Sequence, residues 1–196
     1  MACDIHCFLE QKTKNGWELV EEVELDRNYG LFSILADVRN GVGFAGHSTG
    51  NKLNPIDAPR GIPDDVSKEL IPEIQEWGDE GHSHSWLNLD EVLLYDYNNQ
   101  IAETVGIVNK EQYRVYLEKG KPDSYSSGAS EKSVSVISAE EMEEIVKDNR
   151  ENERDYYIRV AWKETYSEII GFKFLKKMEK YCKKYSNARI VFWFDN

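Results

Sequence analysis

The stretch Arg189-Ile190-Val191-Phe192-Trp193-Phe194-Asp195 carries apolar side chains at both odd and even positions, which constrains the fold more than any other segment. Successive side chains of a strand point to opposite sides, so a run apolar on both faces has to be covered on both. It predicts a central strand.

A second strand is predicted at the other end of the chain. Between Cys3 and Glu10, Cys3, Ile5, Cys7 and Leu9 fall on one face and Asp4, His6, Phe8 and Glu10 on the other, as in a half-buried strand. Asn15-Gly16 supplies the positive φ angles of a tight hairpin, with Trp17 to Leu25 returning. Helical spacing of Leu31, Ile34, Leu35 and Val38 predicts a helix over Tyr29 to Val38. Asp64 to Trp77 reads as a second helix interrupted by Pro72, and Gly78 to Ser85 as a turn-rich connection. Asn88 with Glu91 makes a capping box for a helix over Leu89 to Tyr95, and Ser138 with Glu141 does the same for a charged helix reaching Asn149. Strands are expected at Gln100 to Val108, Val134 to Ile137 and Tyr156 to Lys163, and a last helix at Thr165 to Tyr185. The pattern is that of an α+β domain, a mixed or antiparallel sheet with helices packed on it, over residues 1–196. Residues 41–63 and 119–132 read as long loops, and a connection as long as the first is uncommon unless it serves binding.

Composition narrows the partners. Thirty-six acidic against 24 basic residues give a formal charge of −12, which repels the backbone of long nucleic acid. No run approaches the roughly 20 apolar residues of a membrane span, and the start lacks the basic and apolar regions of an export signal. Cys3 and Cys7 on one strand would stand about 13 Å apart, too far for a disulfide. Three cysteines, Cys3, Cys7 and Cys182, cannot all pair, and that usage suits a reducing cytoplasm.

Chemistry-bearing residues gather in a few places. Asp4 and His6 lie two apart on one strand face, about 7 Å between α-carbons, so both can address one ion or phosphate. His82 and His84 repeat the spacing. Such a set could act as general acid and base on a phosphoester, or ligate a first-row divalent metal through Asp4, His6, His82 and His84; the cofactor stays open. The structural alternative has His6 bonded to Asp4 or to backbone, with His82 and His84 facing solvent. Arg27, Arg39 and Arg60 sit beside turn or helix-start residues, where guanidinium forks hold phosphates, and Asn28, Tyr29 and Trp86 are further candidate ligand contacts. Arg39 and Arg60 are expected to grip the phosphates jointly once the 41–63 loop closes. Gly41-Val42-Gly43-Phe44-Ala45-Gly46 matches a dinucleotide fingerprint in letters, but it follows a predicted helix and not a strand. His47-Ser48-Thr49 is half of a paired His-x-Thr signature whose second half is missing.

The combination Cys3-Asp4-Ile5-His6, Arg27-Asn28-Tyr29, Ala36-Asp37-Val38-Arg39-Asn40, Pro59-Arg60-Gly61-Ile62-Pro63-Asp64-Asp65, His82-Ser83-His84-Ser85-Trp86-Leu87 and Val191 to Asn196 resembles a family of uncharacterised small bacteriophage proteins. The resemblance implies a setting, the cytoplasm of a bacterial host, and by class analogy a role in countering host defence. The function expected is binding and hydrolysis of a small phosphate-bearing nucleotide, such as a cyclic immune signal, by phosphodiesterase-type chemistry at His6, His82, His84 and Asp4. Two alternatives stand beside it: a protein that sequesters the nucleotide unchanged, and an acidic inhibitor acting through the helix of residues 139–149.

Overall fold

The computed structural model describes residues 2–43, 48–126, 135–148 and 156–196. In chain order the elements are β1 (Asp4–Thr13), β2 (Gly16–Glu22), α1 (Tyr29–Ala36), α2 (Ile71–Trp77), β3 (His82–Asn88), α3 (Leu89–Leu94), β4 (Ile101–Asn109), α4 (Lys110–Lys119), β5 (Ser135–Val136), α5 (Ala139–Lys147), β6 (Tyr156–Thr165), α6 (Tyr166–Ile170), α7 (Phe172–Lys184) and β7 (Ala188–Asp195). The fold is α+β, with an antiparallel sheet of order β2-β1-β7-β3 and a mixed sheet of order β4-β6-β5. The chain divides into two compact units, the first made of Met1–Asn40, Leu53–Gln100 and Thr165–Asn196, the second of Gly41–Lys52 and Ile101–Glu164.

In the first unit, β7 is central, with Ile190 to Phe194 almost wholly buried. It pairs with β1 from Asp4↔Asp195 to Gln11↔Ala188 and with β3 from His82↔Phe194 to Asn88↔Arg189. His6 and Trp193 are partners and therefore share a face. On that face Phe8, Leu70, Val191 and Trp193 form a buried cluster, with Ile74, Trp77 and Trp86 packed against it. On the other face Phe32 of α1 meets Phe194 edge-on at 5.1 Å.

β1 is covered on both sides, not half-buried: Phe8 and Glu10 are as hidden as Cys7 and Leu9. Glu10 tolerates this because Arg189 Nε donates to its Oε2 at 2.8 Å and the Ser67 amide to its Oε1 at 2.8 Å. Arg189 also bonds Asp65 at 2.8 Å and lies between the rings of Trp17 and Trp86, 3.9 and 5.5 Å from their centroids.

Three further sequence expectations in this unit are corrected. Residues 64–70 turn instead of coiling, through Val66 N–H to Pro63 O and Leu70 N–H to Ser67 O, and α2 begins at Ile71 with Pro72 in its first turn. That is where a residue without an amide hydrogen costs least. His82 to Ser85 join the strand β3, since pairing with β7 outweighs their turn-like composition. The register slips between His82 and Ser85, where Ser83 takes φ 51°. The last helix is two, α6 and α7, divided at Gly171 with φ 73° and ψ 158°. Outside β3, the Gly61 amide donates to the His84 carbonyl at 2.9 Å and the Arg60 amide to Ser85 Oγ at 3.2 Å, so the 53–63 connection runs along that strand.

The second unit holds a core of Val108, Tyr113, Met142, Ile158, Val160 and Trp162. The unexpected helix α4 is capped by Asn109 and Gln112, a box of the same kind as Ser138 with Glu141 before α5. Gly50 bridges Thr104 and Ser126 bridges Ile107, which gives part of the expected loops a strand-like course. Residues 44–46 of the glycine pattern, His47, Val134, Asn149 and residues 127–132 lie outside the described residues.

Candidate functional site

Antiparallel pairing of β1 with β7 sets Asp4 opposite Asp195 and His6 opposite Trp193 at one end of the first sheet. Asp195 Oδ1 accepts from the Asp4 amide at 3.2 Å, and its Oδ2 lies 3.3 Å from His6 Nε2. Asp4 takes a two-point grip from Arg27, Nε at 2.8 Å and Nη2 at 2.6 Å. Arg27 holds the Asp4 carboxyl below the usual carboxylate range, chiefly through these hydrogen bonds. Next in the chain, Asn196 accepts from Arg39 Nη2 at 2.8 Å, and its side-chain nitrogen lies 2.9 Å from His82 Nε2. Arg39 sits over the Tyr29 ring at 5.7 Å, and the Tyr29 hydroxyl accepts from the Cys3 amide at 3.3 Å. Asn28 is the N-cap of α1, accepting from Leu31 and donating to the carbonyls of Ile169 and Ile170.

Two adjoining polar sets result, Asp4, His6, Arg27 and Asp195 in one and Tyr29, Arg39, His82 and Asn196 in the other, joined through the consecutive residues Asp195 and Asn196. Arg39 itself and Ser83, next to His82, have positive φ of 55° and 51°, a region that non-glycine residues visit mainly where the surroundings hold them, whereas the positive φ of Asp37 is that of the C-cap of α1.

The histidines differ from one another. His6 lies with its ring centroid 3.9 Å from that of Trp77 and 5.9 Å from that of Trp193, and its side chain is 20% exposed. His84 stacks on Trp193 at 5.7 Å, and His82 on Phe194 at 6.1 Å. Burial pushes the His82 pKa down, with the Arg39 charge adding to it, and burial pushes His84 down, aided by His82. Both are therefore biased toward the neutral form. Among the described residues no three His, Cys, Asp or Glu side chains are grouped to hold a metal ion, so Asp4, His6, His82 and His84 do not converge as one ligand set. Asp4 turns to Arg27 instead, and His82 and His84 flank a bulge with different aromatic partners.

Arg60 is engaged elsewhere. Its fork takes Glu91 at 2.9 and 2.6 Å, Asp57 at 2.8 Å and the Trp86 carbonyl at 3.3 Å, over the Trp86 ring at 4.8 Å. With two carboxylates on one guanidinium, little of it is left for a phosphate, so the expected joint grip of Arg39 and Arg60 is not what the geometry provides. Trp86 goes with Arg60 and Arg189, not with the histidines.

Asp195, Asn196, Trp77 and Trp193 enter the site without having been expected there. The available signal was Asp195 itself, a carboxylate ending an otherwise apolar strand. A separate cleft of about 610 Å³, lined in part by Lys12, Trp17, Glu91, Cys182 and Tyr185, lies toward the opposite end of β1 and contains no histidine. No family model matches the chain, and neither the curated proteins nor the solved structures yield a similar one. Among the described residues no helix is long and apolar enough to cross a membrane.

Proposed function

We propose that this end of the sheet binds a small phosphate-bearing ligand of the nucleotide class and hydrolyses its phosphoester. The observation that carries the reading is the His6–Asp195 contact at 3.3 Å, set within reach of the Arg27 and Arg39 network. A carboxylate on one ring nitrogen orients an imidazole and stabilises its protonated form. With Nε2 turned to Asp195, Nδ1 is the nitrogen that handles the proton. It takes one from water as the water oxygen attacks phosphorus; the ester P–O bond then breaks and the leaving oxygen receives that proton back. Arg39 and Arg27 face the charge on the phosphoryl oxygens, Arg27 by sharing its fork with Asp4.

A second reading, sequestration without cleavage, is favoured by the Trp77 ring over His6, which hinders access of water. A panel of linear and cyclic nucleotides, incubated with protein and then chromatographed before and after denaturation, separates the two. Cleavage lost in His6→Ala and reduced at least a hundredfold in Asp195→Asn, with both variants folded, supports hydrolysis. Intact ligand recovered from denatured protein supports sequestration. If nothing on the panel is bound or consumed, both fall.

A further inference from the structure

Trp193 is fully buried, and its indole Nε1–H has no acceptor among the described residues. Buried polar groups are nearly always paired, so an orphan donor beside a polar network asks what satisfies it. The side of the ring that carries this N–H faces Gly81: a Cβ there would stand 3.2 Å from Trp193 Cδ1, the atom bonded to Nε1, and 3.4 Å from His84 Cε1 and Nε2. Above the neighbouring His6 lies Trp77, the last residue of a helix with no buried residue. Its own indole N–H is spent on Glu73 of the same helix. The Trp77 carbonyl accepts from the amides of both Glu80 and Gly81, so Trp77 and the turn that covers Trp193 are tied to each other. A backbone displacement that lifts Trp77 off His6 therefore carries the Gly81 turn with it, away from the Trp193 edge.

We infer that the place over His6 filled by the Trp77 ring, beside the covered edge of Trp193, is the subsite for a flat, acceptor-bearing heterocycle, of which a nucleobase is the fitting class, and that Trp77 stands in for it in the unliganded protein. The inference rests on the nucleotide reading above and adds the recognition of the base. When the turn lifts, the ligand's ring stacks on His6 where the indole of Trp77 had been, and a ring nitrogen or carbonyl oxygen accepts from Trp193 Nε1. Proton transfer uses the edge of His6 and stacking uses its face, so the two roles coexist.

The test uses the full chain with adenosine, guanosine, cytidine and uridine, which carry a base and no phosphate, and with inorganic phosphate. Calorimetry measures affinity, and the indole N–H resonance of Trp193, assigned by its disappearance in Trp193→Phe, reports on the donor. At least one nucleoside is expected to bind saturably and move that resonance, which phosphate leaves in place. Trp193→Phe should bind that nucleoside about tenfold more weakly. Trp77→Ala should bind it more tightly, because the resident ring no longer competes. If Trp193→Phe does not fold, the resonance is assigned by elimination with single phenylalanine variants of Trp17, Trp77, Trp86 and Trp162, and it decides together with Trp77→Ala. No nucleoside binding, an unmoved resonance or weaker binding by Trp77→Ala overturns the inference. Nucleotide cleavage alongside any of these sinks the base subsite alone, whereas nucleoside binding with every phosphoester left intact sinks hydrolysis and leaves the subsite standing.

Discussion

Glu10 and Arg189 form the most deeply buried ion pair described, with side chains 0% and 3% exposed. Desolvating two charges offsets most of their attraction, but removing one strands the other in a poor solvent. Glu10→Gln keeps an acceptor for the Ser67 amide and removes the charge facing Arg189, so it is expected to destabilise by about 3 kcal/mol, read as a lowered urea midpoint. Asp65 softens that loss without cancelling it, because its own carboxyl, held at about 2 mainly by Arg189, stands largely in water. The histidines make a second prediction. Burial lowers the pKa of His82 and His84 below the ordinary value near 6.5, so in the window beneath that value the unfolded chain binds more protons than the folded one. The associated stability is present above about pH 6.5 and is lost as pH falls through the folded pKa values. Melting temperature should therefore drop between pH 7.5 and 5, and the drop should be shallower in the double variant His82→Gln, His84→Gln. An equal slope in that variant would remove both histidines as the cause.

At the scale of elements, local signals were legible and distant ones were not. The hairpin forms with its turn one residue earlier than read, at Lys14-Asn15, with Gly16 alone at positive φ (120°), whereas the capping boxes at Asn88 and Ser138 depend on residues within three or four positions and appear as read. Asn109 with Gln112 is the same kind of signal and marks α4, a helix that periodicity alone did not suggest. β3 was hidden because Gly81, Ser83 and two histidines read as a turn, and its strand character comes from β7, about a hundred residues later. The site followed the same division. Asp4 and His6 could be placed on one face from their spacing, whereas Asp195 reaches them through pairing across 191 positions. Gly171 gives the testable case of a break that apolar periodicity runs past. Its φ of 73° with ψ of 158° belongs to a region open essentially to glycine, and a Cβ there would meet no atom within 4 Å. Gly171→Ala should then cost about 1–3 kcal/mol from backbone strain alone, measured by thermal or urea unfolding. A neutral result would mean that α6 and α7 join with another geometry.

At the scale of the whole molecule, a chain of charge −12 gathers Arg27, Arg39 and three histidines at one end of its first sheet. Asp4 already answers the charge of Arg27, so on the reading proposed above the ligand is a compact anion that rearranges that pair, and not a polyanion laid across the surface. The border of that same sheet has a further consequence. An outermost strand with open amides and carbonyls invites another chain to align beside it and extend the ladder. On β3 the connection through Arg60 and Gly61 already occupies that border, and on β2 the charges of Glu18, Glu21 and Glu22 repel an identical neighbour. The long connection, read from the sequence as a binding loop, thus also works as a selvedge, a finished margin that denies another chain the open border of β3.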